Sequence, residues 1–363
     1  MGLAKGLFVV DNHTYAQVEP TGYPGDEPEK MMLYHMDKYG VDMCVLKSVY
    51  TWGRSIDVNR NKLNADIVKR HPDRFVALCT DLEVQHKAST GVAEWTVEAA
   101  NKEIDELMQT GLYVGIGESI PRDRNPRKKL ISWDERFEQV CSSMDLFRKY
   151  KGPMLYITGG VIGNQTARSD ITRNRAHPES CENGSPLLCL EIAALYPEVP
   201  IILAHGGVES SAYYMDDYEK CLYVAASCRN VFLDCGQWWT ELYTKPLLDV
   251  NIGAEKILWG CGWGQGNLVQ QRMPGQIPET YNVRNLTLGQ NVAGKLWVTP
   301  KDTNDIWGWS LSQLGRLNIP QADMNLILGG NAAHLYNLKT PLPYEKMFRA
   351  VNRQYLDAEI PTL

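Results

Sequence analysis

Two histidines stand where an imidazole could do chemistry, since each closely follows a short apolar run of strand length. They are His13 and His205. An imidazole changes its charge near neutral pH and readily binds transition metals, so each is a candidate proton carrier or metal ligand. Alternatively, hydrogen bonds hold both as structural residues. Further histidines are expected to be structural or exposed, namely His35, His71, His86 and His334.

Aromatic side chains also gather just after the predicted strand ends. These residues are Tyr15, Trp52, Trp238, Trp239 and Trp263. They could line an apolar ligand pocket, and on this interpretation Trp239 and Trp263 contact a substrate. They could equally fill a disused pocket or anchor a protein interface, where Trp and Tyr are enriched.

The sequence has few other motifs that indicate a catalytic or ligand-binding role. Arg168, Arg173 and Arg175 share one loop and could bind a substrate carboxylate through bidentate contacts, although a solvated surface is their commoner fate. No Gly-x-Ser-x-Gly nucleophile elbow occurs, and no glycine-rich phosphate loop follows the first strand. We therefore expect no nucleotide cofactor.

The elements that must position these side chains are short β-branched strands alternating with amphipathic helices. We predict strands at 7–11, 43–46, 75–80, 112–117, 154–158, 201–204, 231–234 and 257–259. Eight such units close a (β/α)8 TIM barrel, an α/β fold with its functional residues at the carboxyl ends of the strands. Residues 1–363 are thus expected to form one barrel domain, with C-terminal helices.

Two helices have clear sequence signals. Residues 28–39 begin with Pro and stop at Gly40. Residues 132–152 begin with the capping box of Ser132 and Glu135 and carry an apolar face at helical spacing. The segment 264–305 breaks the alternation and is rich in Gln, Asn, Gly and Pro, with Trp297 near its end. We interpret it as a long insertion after strand eight that lies at an interface, with a surface loop as the alternative.

The composition argues against two classes of binding partner, nucleic acids and membranes. A net charge of −6 and a pI near 5.7, with no dense basic run, predict neither nucleic-acid nor membrane binding. No leader and no apolar run of membrane-spanning length is seen, which predicts a cytoplasmic protein. The nine cysteines show no CxxC pair and are expected to be reduced.

Seven segments in order resemble the amidohydrolase-related family that includes aminocarboxymuconate semialdehyde decarboxylase. The segments are residues 11–13, 36–46, 71–76, 203–207, 230–234, 253–260 and 328–336. The resemblance implies a barrel with a mononuclear metal site. The family's ligands are a His-x-His after strand one, a His ending strand five and an Asp ending strand eight, and a further His ending strand six acts as acid or base.

Carried over by position, this pattern is only partly kept. The strand-one motif gives His13 and Tyr15, the strand-five position is Ile157 and the strand-eight position is Gly262, while the strand-six histidine is His205. One inherited ligand remains, whereas a catalytic zinc usually has three protein ligands. We therefore expect the family's own metal site to be degenerate.

A rebuilt site is the alternative. Related dinuclear barrels place a bridging carboxylate at the end of strand four, where this chain has Glu118. With His13 and His205, and with His177 from the strand-five loop, it would bind zinc, or iron or manganese for oxidative chemistry. Otherwise Glu118 pairs with a nearby arginine and His177 is a solvated loop residue.

Three functions follow from these alternatives. The first is a subunit of a hetero-oligomeric metal-dependent enzyme, acting with a homologous amidohydrolase-fold partner. Its specific form resembles one half of the two-subunit system that hydroxylates α-aminoisobutyrate. The second is a stand-alone decarboxylase or hydrolase with the rebuilt site, for which a homo-oligomer is the expected assembly. The third is a metal-free lyase or binding protein using Tyr15 and His205 as acid and base. The expected substrate is a small carboxylate or amino acid.

Overall fold

Eight parallel strands, each hydrogen-bonded to the next in chain order, form the sheet in this computed structural model. It describes residues 7–16, 28–48, 59–119, 132–158, 185–208, 216–235, 238–262 and 306–339. The strands are β1 Val10–Thr14, β2 Met43–Leu46, β3 Phe75–Cys79, β4 Tyr113–Ser119, β5 Met154–Ile157, β6 Ile201–Ala204, β7 Val231–Asp234 and β8 Ile257–Leu258. The Asn12 amide donates to the Trp259 carbonyl at 2.9 Å, just after β8, so the barrel is nearly closed.

Helices connect the strands, as expected of a (β/α)8 TIM barrel. They are α1 Pro28–Tyr39, α2 Arg60–Arg70, α3 Leu82–Thr90, α4 Val97–Gln109, α5 Trp133–Cys141, α6 Met144–Tyr150, α7 Leu188–Leu195, α8 Asp216–Ser227, α9 Thr240–Leu248, α10 Ile306–Leu314, α11 Gln321–Asn325 and α12 Asn331–Leu335. No helix within the described ranges is long and apolar enough to cross a membrane. The predicted insertion, 264–305, lies outside the described residues, and the predicted C-terminal helices are α10 to α12.

The core has two layers, which follow from the alternation of side chains along each strand. A smaller cluster fills the barrel and contains one or two residues from most strands, among them Val10, Val45, Leu78, Leu155, Ile202 and Leu258. A larger cluster lies between the strands and the surrounding helices. Side chains at the carboxyl ends of the strands therefore lie above a packed apolar floor.

The predicted strands after the first match the structure to within two residues at each end, whereas β1 begins and ends three residues later than predicted. The polar sequence from Asn12 to Thr14 was expected to follow the strand. In the structure these residues are fully buried within it, where distant side chains bond to the His13 ring and to the Asn12 side-chain carbonyl oxygen. Because of this shift, His13 lies within the strand, one residue before its end, and not beyond it.

The helix predicted at 132–152 is divided into α5 and α6 by a turn at Ser142 and Ser143. The Ser142 hydroxyl donates to the Gln139 carbonyl at 2.8 Å, and the Ser143 hydroxyl donates to the Asn101 side chain at 3.1 Å. Serine hydroxyls that bond locally compete with the helical ladder. The prediction of a single long helix was therefore wrong, whereas α1 has its predicted bounds.

Glu103 of α4 caps the neighbouring helix α3. Its two carboxylate oxygens accept from the amides of Glu83 and Val84, each at 2.9 Å. Burial raises the pKa of Glu103 from 4.5 to about 7, although both amide bonds oppose this change. The folded protein therefore holds this proton more tightly than the unfolded chain does.

This linkage makes the stability depend on pH. Because the folded-state pKa is raised, the free energy of unfolding should fall as the pH rises from about 4.5 to about 7. We expect the Glu103 contribution to be about 2 kcal/mol. Urea denaturation of the wild type and of Glu103→Gln across this range measures it as the difference between the two profiles. Parallel profiles would show that Glu103 does not titrate as described.

Candidate active site

A chain of hydrogen bonds joins the ends of β1 and β7 at the mouth of the barrel. The His13 Nδ1 lies 2.6 Å from Asp234 Oδ2, and the His13 Nε2 lies 2.8 Å from the Tyr15 hydroxyl. All three residues are buried, with at most 2% of Tyr15 exposed. The imidazole is thus held at both ring nitrogens by protein side chains.

The chemistry of these partners fixes the direction of the bonds. An ionised Asp234 only accepts, so His13 donates from Nδ1 and its Nε2 lone pair accepts from the Tyr15 hydroxyl. In this tautomer the imidazole can take the tyrosyl proton, and the carboxylate stabilises the imidazolium that forms. The arrangement can therefore make Tyr15 a base, or return its proton so that it acts as an acid.

Gly260, just after β8, allows His13 and Asp234 to meet. A Cβ atom at this position would lie 2.6 Å from Asp234 Oδ1 and 2.8 Å from His13 Cβ. Any larger residue would therefore push apart the pair that spans this strand end.

His205 lies beside His13, and their ring centroids are 4.5 Å apart at an angle of 41°. Burial first, and then repulsion from a protonated His13 and from Lys47, hold the pKa of His205 well below its usual range. The ring is therefore neutral at neutral pH and binds a proton only weakly.

The backbone turn that presents His205 is unusual. His205 has a positive φ of 62°, and Gly206 follows with a φ of 51°. The Trp238 indole donates to the His205 carbonyl at 3.1 Å. A Cβ on Gly206 would lie 2.4 Å from the Trp238 ring. The turn is thus fixed by a close contact that only glycine permits.

Asp11 ties the site to helix α10. Its carboxylate accepts from the indole of Trp307, from the His13 amide at 2.8 Å and from the Cys261 amide at 3.1 Å. Burial raises the pKa of Asp11 from 3.8 to about 6, and the charge of Asp234 adds to this effect. Asp11 therefore positions the His13 backbone.

Lys47 directly follows β2 and is completely buried. Its amide donates to the Thr14 carbonyl at 2.8 Å, and its carbonyl accepts from the Asn64 side chain at 3.0 Å. Met43 and Val45 belong to the cluster inside the barrel, and strand alternation gives Lys47 the same direction. The residue places a positive charge at the barrel mouth.

The structure brings together the predicted site residues His13, Tyr15 and His205. Trp239, predicted to bind substrate, is half-buried and packs against the larger cluster outside the barrel, so its role stays a prediction. Three predicted site residues lie outside the described part of the structure. These are His177 and Trp263 as a whole, and Glu118 in its side chain.

The sequence interpretation missed Asp234, Lys47 and Gly260 as site residues. Strand alternation was a usable signal for Asp234 and Lys47, since each follows an inward-facing apolar residue two positions earlier. No local pattern marks Gly260, whose role depends on a contact between other strands.

The described residues do not fit a metal ion at the family's position. His13 is engaged at both nitrogens, Ile157 ends β5 with an aliphatic side chain, and Gly262 has none. No group of three His, Cys, Asp or Glu residues within the described part of the chain could hold a metal. The hydroxyl of Tyr15 occupies the remaining nitrogen of the one inherited ligand.

Solved structures with a similar fold include two enzymes. The 4-oxalomesaconate hydratase from Rhodopseudomonas palustris is 12% identical with a TM-score of 0.54, covering 96% of this chain and 100% of that chain. The 5-carboxyvanillate decarboxylase from Novosphingobium aromaticivorans, complexed with manganese and a nitrobenzoic acid, is 11% identical with a TM-score of 0.49, covering 92% of this chain and 97% of that chain. At these identities the likeness concerns the fold alone.

Sequence comparison gives the family. No curated protein matches the chain significantly. A family model described as amidohydrolase matches residues 33–338, which is well over half of the 363 residues. This protein belongs to the amidohydrolase family.

Proposed function

We propose that this amidohydrolase barrel catalyses proton transfer in a lyase or hydrolase reaction on a small carboxylate, with Tyr15 as the acid and base. The observation that supports this function is the buried chain from Asp234 through His13 to the Tyr15 hydroxyl. A hydroxyl bonded to an imidazole that is itself backed by a carboxylate is an arrangement that activates weak acids.

Each residue has one task in this mechanism. His13 takes the hydroxyl proton of Tyr15, and Asp234 stabilises the resulting imidazolium through Nδ1. The Tyr15 oxygen then removes a proton from the substrate, and the reverse sequence protonates the product. His205, whose neutral ring lies 4.5 Å from that of His13, is the second proton carrier. Burial strengthens these electrostatic interactions, because little water screens them.

Replacing Tyr15 by Phe tests the function. Loss of the hydroxyl should lower turnover by about 10²-fold or more, as expected when a general acid–base group is removed. The assay is hydrogen–deuterium exchange and decarboxylation, followed by NMR, on a panel of small carboxylates in the presence of a chelator. Tyr113→Phe is the matched control. The buried hydroxyl of Tyr113 donates to the Asn61 carbonyl at 2.8 Å, and not to His13.

Two results would contradict this function. Equal rates for Tyr15→Phe and the wild type would remove Tyr15 from the mechanism. Absence of any exchange or turnover by the isolated wild-type chain across the whole panel would show that the chain does not catalyse this chemistry alone.

A second candidate function is a subunit of a metal-dependent complex. It is favoured by the engagement of both His13 nitrogens and by the missing ligands at Ile157 and Gly262. In this case a homologous amidohydrolase-fold partner holds the metal, as in a two-subunit system that hydroxylates a small amino acid such as α-aminoisobutyrate. Co-expression with such a partner would restore activity that the isolated chain lacks.

A stand-alone enzyme with a rebuilt metal site is the remaining alternative. It would use His13, Glu118 and His205, with His177, to bind zinc, iron or manganese, and the family is metal-dependent. Metal analysis of the purified chain and of His205→Ala distinguishes it. A stoichiometric metal that is lost in this variant would favour the rebuilt site over proton transfer by Tyr15.

A further inference from the structure

We propose that Thr158 is a positioning residue, whose hydroxyl holds the turn that places the His205 ring beside His13. The inference rests on the proposed function, in which His205 is the second proton carrier. Thr158 directly follows β5 and is completely buried. It adjoins Ile157, where the family's ligand pattern is lost, and its role needs no metal ion.

The strand register brings Thr158 to the base of this turn. In the β5–β6 pair, Ile157 lies opposite Ala204, which is the last residue of β6. Thr158 and His205 are each one residue further along their strands. The threonine therefore lies beside the backbone at the point where β6 ends and the turn begins.

The Thr158 hydroxyl uses all of its hydrogen-bonding capacity at this turn. It donates to the Ala204 carbonyl at 2.5 Å and accepts from the Gly207 amide at 3.0 Å. The Cys221 thiol of α8 donates to the same oxygen at 3.5 Å. A hydroxyl has one donor and two acceptor positions, so all three are engaged. The threonine thus joins the residue before His205 to the second residue after it.

The turn needs such support because its backbone is left-handed. His205, Gly206 and Gly207 have φ values of 62°, 51° and 78°. Glycine adopts this region freely, whereas a β-carbon makes it unfavourable for other residues. His205 is therefore the strained member of the three. Strain of this kind persists only where the surrounding contacts hold the backbone in place.

The turn is held from two sides. A Cβ atom on Gly207 would lie 2.3 Å from the carbonyl carbon of Asp217, so the turn packs closely against α8. The Trp238 indole, which follows β7, donates to the His205 carbonyl at 3.1 Å. Thr158 holds the turn from β5. Without its hydroxyl the buried Gly207 amide would lose this acceptor, and the strained histidine would relax and move its ring.

Two substitutions separate the hydroxyl from the shape of the side chain. Thr158→Val removes the hydroxyl and keeps the branched shape, whereas Thr158→Ser keeps the hydroxyl. The measurement is the nuclear Overhauser effect between the ring protons of His13 and His205 in the full chain, since the ring centroids are 4.5 Å apart. We expect the cross-peak in the wild type and in Thr158→Ser, and its loss in Thr158→Val.

Thr80→Val is the matched control. Thr80 also directly follows a strand and is buried, but its hydroxyl donates to the Asp81 side chain at 3.1 Å. This variant should keep the cross-peak between the two histidines. Circular dichroism verifies that Thr158→Val folds, and Thr158→Ala replaces it if it does not.

Turnover gives a second readout. Because His205 carries a proton and does not hold the substrate, Thr158→Val should lower kcat by about 10²-fold with little change in KM, as expected when a catalytic group is misplaced. Thr158→Ser should keep most of the wild-type kcat. A residue that only stabilised the fold would lower the free energy of unfolding without this separation of kcat from KM.

Three results would overturn the positioning role. They are an unchanged cross-peak in folded Thr158→Val, an equal loss of the cross-peak in Thr158→Ser, and the absence of the cross-peak in the wild type. The NMR measurement needs no substrate. Loss of the cross-peak in Thr158→Val alone, with no turnover by the wild type, would therefore support the role of Thr158 and contradict the proton-transfer function.

Discussion

Asp234→Asn should lower turnover by about 10³-fold or more while the barrel stays folded. The asparagine amide carries no charge, so the imidazolium formed on His13 would lose the carboxylate that stabilises it. The amide could also donate to Nδ1 and select the opposite tautomer. In that tautomer the Nε2–H faces the Tyr15 hydroxyl and cannot accept its proton.

Nitrogen-15 NMR of labelled histidines measures this effect without a substrate. The wild type should show a protonated Nδ1 and an acceptor Nε2 for His13, and Asp234→Asn should exchange or mix these signals. Asp42→Asn is the control, because Asp42 Oδ2 accepts from the Val9 amide at 2.7 Å, near the start of the strands. Unchanged His13 signals and unchanged turnover in Asp234→Asn would contradict the proposed role.

Trp238→Ala should have the largest effect on stability, a loss of about 3–5 kcal/mol. Trp238 is completely buried and makes edge-on contacts with Tyr218 and Tyr243, with ring centroids 5.3 Å apart in each case. The alanine would leave a cavity that these two rings cannot fill without moving. It would also remove the indole bond to the His205 carbonyl, so the site should be disturbed as well.

Urea denaturation measures the loss, and Trp133→Ala is the matched control because 38% of Trp133 is exposed. The control should lose clearly less than Trp238→Ala, since more than a third of its surface stays exposed to water after folding. Trp238→Phe separates packing from the hydrogen bond, because it keeps a ring but has no N–H donor. Equal losses for Trp238→Ala and Trp133→Ala would show that Trp238 does not support the barrel mouth.

The barrel itself was predictable because its signals are local. Apolar strands of the right length and the helices between them recur along the chain, and each strand after the first lies where its β-branched run predicts. The failures have tertiary causes. His13 and Asn12 of β1 are buried against side chains that are distant in sequence, and the helix break at Ser142 depends on Asn101 of another helix.

The site was predictable only in part for the same reason. His13 lies in a recognisable strand and His205 directly follows one, so both could be found from sequence. The partner of His13 could not, because Asp234 is 221 residues away and reaches it only when the barrel closes. Local sequence cannot say which strand ends meet across the mouth, or that Gly260 leaves room for the contact.

Zinc titration of the chain, followed through the nitrogen-15 signals of His13, tests most directly whether the protein engages both ring nitrogens. We predict that Nδ1 stays protonated and Nε2 stays an acceptor in the presence of excess zinc, because Asp234 and Tyr15 hold them at 2.6 and 2.8 Å. The folded control Tyr113→Phe should respond to zinc in the same way as the wild type. A shift of the Nε2 signal that saturates at one equivalent of zinc would show a metal ligand at His13. That result would contradict proton transfer through Tyr15.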